Sequence, residues 1–61
     1  MIYDKIKQLC DEKNLSLTTV EKAVGLGNGT ISTWKTGDPR VSKLNRVAKY
    51  FDKPIQFFLD D

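Results

Sequence analysis

Sixty-one residues suffice for one small domain, which buries only about 60% of its unfolded surface. The 39% hydrophobic and 30% charged content is that of a folded chain, and one cysteine with no histidine excludes a disulfide framework, a Cys/His zinc site and imidazole-based catalysis. The net charge of +2 is uneven: residues 30–50 carry +4 and the remainder −2, a modest basic field of the kind that draws a polyanion.

Chain order begins with an amphipathic helix over residues 2–13. Ile2, Ile6, Leu9 and Cys10 share one face, and Asp4, Lys5, Lys7, Asp11 and Glu12 fall outside it. Cys10 on that face is expected to be a buried, inert thiol. A second helix follows, with Ser16 as N-cap, a hydrophobic staple of Leu15 on Val20, and an apolar face of Leu17, Val20 and Val24. Gly25 supplies a left-handed stop, after which Leu26 folds back onto the core.

The third helix is expected to start at Gly27 or Asn28, bury Ile31 and Trp34, and end at Gly37. Trp34, wedged between the second and third helices, is expected to be the most buried aromatic. Val41, Leu44, Val47, Ala48 and Phe51 mark a fourth helix, and Pro54 opens a short fifth with Ile55, Phe58 and Leu59 inward. Phe57 is then left near the outside, with Tyr50 as a second aromatic off its helix's stripe. No segment has the period of a strand, and the connections are short, so a compact all-α five-helix bundle is expected. Asp60 and Asp61 make a poor acid/base pair at a chain end, where disorder is expected.

The second and third helices, joined by a short glycine-containing turn, form a helix-turn-helix pattern. All four glycines of the chain lie in 25–37. Gly25 turns the chain sharply, whereas Gly27 and Gly29 leave the start of the third helix without bulk, so that its backbone can approach another surface. The polar face of Asn28, Thr30, Ser32, Thr33, Lys35 and Thr36 suits the base edges of a major groove. The amides at that helix start favour a phosphate.

The stretch "SLTTVEKAVGLGNGTISTWKTG" (16–37) resembles the helix-turn-helix of Cro/CI-type (XRE-like) repressors, most closely those of Gram-positive bacteria and their phages. The resemblance continues through "VSKLNRVAKYFDKPIQFFL", so it covers nearly the whole chain. It implies a lambda-repressor-like five-helix bundle spanning 1–61, with the helix-turn-helix at about 17–36 and a recognition helix at about 28–36. In such proteins the base-reading positions fall on Asn28, Gly29, Ser32 and Thr33. Phosphate-contacting positions fall on Thr30, Lys35, Thr36, Arg40 and Lys43, and dimer contacts near the fifth helix, here Phe57 with Tyr50. Two positions depart from the family pattern. Leu17 replaces a frequent phosphate-binding Gln, and Glu21 replaces a frequent Ala; its carboxylate could bond backbone, bond Lys35 or face water.

The reading is a sequence-specific binder of double-stranded DNA, a transcriptional repressor acting as a weak homodimer on a palindromic operator. An antitoxin or plasmid-control regulator with the same domain is an alternative, as is a protein-interaction module that has lost DNA. No enzyme activity, cofactor, metal or small-molecule substrate is expected. The longest apolar run falls far short of the ~20 residues of a membrane span, no signal-peptide pattern is visible, and a cytoplasmic protein is expected.

Overall fold

The computed structural model describes residues 1–60; Asp61, and the disorder expected there, lie outside the described residues. Among these residues the chain is all helical: α1 (Ile2–Glu12), α2 (Leu17–Val24), a single 3-10 helix (Ile31–Lys35), α3 (Val41–Tyr50) and α4 (Ile55–Leu59). In place of the expected bundle of five helices there are four α-helices and one five-residue 3-10 helix.

Each boundary has a local cause. Ser16 caps α2 by accepting the Thr19 amide at 3.1 Å, and Pro54 leads into α4. At the other end of α2, Gly25 adopts φ +77°, with the Leu26 amide bonded to the Glu21 carbonyl at 2.8 Å and the Gly25 amide to Lys22 at 3.4 Å. The same pair of reverse bonds closes α1 and α3, where the left-handed residues are Asn14 (φ 57°) and Asp52 (φ 56°). Asn and Asp tolerate this conformation better than other side chains. All three long helices therefore end in Schellman-type turns, two of them without glycine.

The core is one cluster drawn from every element. Ile6, Leu9 and Cys10 come from α1, Val20 from α2, Ile31 and Trp34 from the 3-10 helix, and Leu44, Val47 and Ala48 from α3; Phe51 and Phe58 close it. The stripes on α1 and α2 match the sequence expectation, and Leu26 does pack back against the cluster. Three expectations do not hold. Val41 and Leu59, placed inward by helical spacing, are 71% and 56% exposed, because Val41 on the first turn of α3 and Leu59 on the last turn of α4 each end a stripe that outruns a thin core. Phe58, at 1% exposed, is more buried than Trp34 at 6%. The 3-10 helix also rests chiefly on α1 rather than across α2, while α3 packs on α2 and α4. Its polar connection to α2 is a single side chain.

Candidate nucleic-acid interface

That side chain is Glu21. Leu17, Val20, Glu21 and Val24 follow the spacing i, i+3, i+4, i+7, so the carboxylate lies inside the apolar stripe of α2 and is only 2% exposed. Burying a carboxylate is costly unless it is hydrogen-bonded. Here Oε1 accepts the Gly29 amide at 3.1 Å and Oε2 accepts the Ile31 amide at 2.8 Å. Of the three possibilities left open by the sequence, backbone bonding is the one realised.

This contact coincides with a later start of the third helical segment. Gly29 stands at φ +87°, a left-handed conformation that interrupts helical propagation, and residues 28–30 form a turn. The helix consequently begins at Ile31, not at Gly27 or Asn28, and Asn28 and Gly29 belong to the turn before it. A methyl group on Gly29 would meet nothing within 4 Å, so the backbone conformation, not crowding, requires glycine there. The amides of Gly29 and Ile31, expected to attract phosphate, are already bonded to Glu21.

Asn28, Gly29, Ser32 and Thr33, the expected base-reading residues, are all exposed and follow one another along this turn and helix. The Thr33 hydroxyl donates to the Thr30 carbonyl at 2.6 Å. Its hydrogen is thereby engaged, so this exposed side chain offers acceptor lone pairs and a methyl group, chemistry that suits base donors and the thymine methyl. Thr36 makes a longer bond of the same kind to the Thr33 carbonyl at 3.4 Å.

The expected phosphate-contacting residues divide into two sets. Thr30, Arg40 and Lys43 line one shallow groove of about 200 Å³ together with Thr33, Trp34, Gly37, Pro39 and the carboxylate-bearing Asp38. The Lys35 ammonium, by contrast, stands 5.0 Å from the centre of the Tyr3 ring on α1. Reaching a phosphate would give up that cation–π contact, worth ~0.5–1 kcal/mol at an exposed site. Lys35 and Thr36 line a second groove, also bordered by Trp34, about 570 Å³ in volume.

Arg40 and Lys43 carry a further electrostatic signal. Arg40 is the N-cap of α3 and Lys43 lies in its first turn, which has no acidic residue and no side-chain cap. A helix N-terminus bears partial positive charge, so two cations there are unfavourable unless an anion joins them. The first turn of α3 therefore carries two cations and no acidic residue or side-chain cap of its own.

The aromatics expected at a dimer contact differ from one another. Tyr50 is 40% exposed, and its ring meets Phe51 edge-on at 5.2 Å. Phe57 is half-buried against the core, its carbonyl accepts the Lys5 ammonium at 2.7 Å, and Lys5 and Lys53 stand 5.5 and 5.0 Å from its ring centre. Phe57 is engaged within its own chain because α1 and Lys53 cover it. The most exposed large apolar side chains are instead Val41, Met1 and Leu59, which all line the 570 Å³ groove.

Among the described residues there is no acidic, histidine or cysteine cluster able to hold a metal ion, and no helix long and apolar enough to cross a membrane. A family model described as helix-turn-helix matches residues 6–58. No curated protein and no solved structure matches the chain.

Proposed function

The chain belongs to this helix-turn-helix family and is an XRE-like DNA-binding domain of the transcription-regulator class, and we propose that it is a sequence-specific repressor of bacterial or phage origin, working in the cytoplasm as a homodimer on a palindromic operator. The observation that carries the specific part of this reading is the shared groove of Thr30, Thr33, Arg40 and Lys43. It brings groups suited to phosphate beside a group suited to bases.

In this reading the 3-10 helix and the turn before it enter the major groove. Asn28 bonds an adenine edge, Ser32 and Thr33 face neighbouring bases, and the Gly29 backbone approaches without side-chain bulk. Thr30, Arg40 and Lys43 hold the flanking phosphates, while Lys35 and Thr36 serve the backbone farther along. Phosphate contacts fix register and base contacts carry the sequence information.

Size is consistent with a dimer. The longest dimension of the domain is 24 Å, whereas half-sites one helical turn apart are separated by about 34 Å. One copy therefore covers one half-site. In this reading a second copy docks on the exposed Met1, Val41 and Leu59 surface, an alternative to the Phe57 and Tyr50 contact expected from sequence. That groove is also lined by residues 35–39, which leave the reading helix, so a two-fold axis there sets two reading helices side by side. Selection of bound sequences from a random duplex pool tests the proposal. An inverted repeat with half-sites about ten base pairs apart is expected. Recovery of no sequence preference would contradict it.

A further inference from the structure

We propose that Glu21 is the positioning residue of the DNA-reading turn, an inference that rests on the reading of residues 28–33 as the base-facing surface. Among the described residues, Glu21 is the polar tie between α2 and the 3-10 helix with the turn before it. With it, two amides two residues apart are fixed to one rigid carboxylate, and the left-handed Gly29 between Asn28 and Thr30 is held in a single conformation.

The residue type follows from hydrogen-bond inventory. Each oxygen of an ionised carboxylate is an acceptor, so Glu21 can serve both amides at once. Glutamine has one carbonyl oxygen and would set its own N–H₂ against the other amide. Aspartate, one methylene shorter, would not span the distance from α2. Alanine would leave two donors without acceptors under a buried surface. Glu21 touches no DNA in this arrangement; it acts by deciding where Asn28, Ser32 and Thr33 stand. Sequence-specific binding depends on that placement more than phosphate binding does, because a point charge tolerates displacement that a bidentate base contact does not.

The test uses the intact chain and two variants. In Glu21→Gln the remaining oxygen keeps the shorter, buried bond to Ile31, and Gly29 loses its acceptor. Amide hydrogen exchange at Gly29 should then accelerate about tenfold relative to the amides of α3. The ratio of affinities for the best duplex from random-pool selection and for a random-sequence duplex should fall about tenfold. Gly29→Ala, which strains the turn at φ +87° without touching the core, should lower the same ratio while leaving exchange in α3 unchanged. Unchanged Gly29 exchange in Glu21→Gln overturns the proposal, as does acceleration that is uniform through the chain, which marks a merely structural role. Should Glu21→Gln fail to fold, exchange in the wild-type chain decides: the Gly29 amide should exchange more slowly than the exposed amide of Asn28, and equal exchange at the two overturns the proposal. If selection recovers no preferred sequence, the DNA reading itself fails, and the Gly29 exchange still decides whether Glu21 orders the turn.

Discussion

Lys43→Gln should stabilise the free protein and weaken its hold on DNA at the same time. Lys43 lies in the first turn of α3, two residues into the helix from Val41, with Arg40 as N-cap and no acidic partner in that turn. Removing a cation from a helix N-terminus is worth ~0.3–1 kcal/mol, and in a domain of about this size that raises Tm by roughly 1–8 °C. On DNA the sign reverses. Each neutralised phosphate contributes about 0.9 to the slope of log affinity against log salt, so the variant should show a slope flatter by about one. A fourfold rise in salt, from about 50 to about 200 mM, then narrows the gap between wild type and variant by roughly three- to fourfold. Fluorescence anisotropy on a random-sequence duplex at several salt concentrations reads the slope, and circular dichroism reads Tm. An unchanged slope, or a lower Tm, would refute the assignment of this helix start as a phosphate clamp.

The proposed base-reading residues should behave differently from Lys43. Asn28→Ala and Thr33→Val should each cost ~1–3 kcal/mol on the selected duplex and much less on random DNA, measured by the same anisotropy assay; equal losses on both would remove them from the base-facing surface. Leu59→Lys, at a side chain 56% exposed, should leave folding intact and abolish cooperative binding to a full inverted repeat, while binding to a half-site barely changes in gel-shift titrations. Burial raises the Cys10 thiol above its ordinary value, so iodoacetamide should label it slowly at neutral pH and rapidly in denaturant. The stability that Cys10 contributes as a neutral thiol is full below the unfolded thiol's pKa and is lost as pH rises from there through the raised folded value, so the alkaline decline in Tm should be smaller in Cys10→Ala.

The sequence showed most clearly what depends on local periodicity. The α1 stripe of Ile6, Leu9 and Cys10, the Ser16 cap and the Gly25 stop are all local patterns, and each holds in the structure. What it concealed depends on long-range partners. The reading helix looked longer because Asn28 and Thr30 fit a helical face, whereas the Glu21 carboxylate, eight and ten residues away from its bonded amides, starts it at Ile31. The signal was present as a charge inside the Leu17, Val20, Val24 stripe, but only the fold shows where that charge points. Val41 and Leu59 misled for the opposite reason, since helical spacing locates a face and says nothing of how far the core extends. Among the candidate DNA contacts, the proximity of Thr30 and Thr33 to Arg40 and Lys43 comes from the path of 36–39, which periodicity does not describe.

The central claim is that the turn at 28–30, the 3-10 helix and the start of α3 form one DNA-binding surface. Amide chemical-shift mapping of the intact chain during titration with a random-sequence duplex at low salt tests it directly. The largest changes are expected at residues 28–33 and 40–43, with the amides of α4 nearly unmoved. Changes centred on α1 and α4, or none at all, would contradict it.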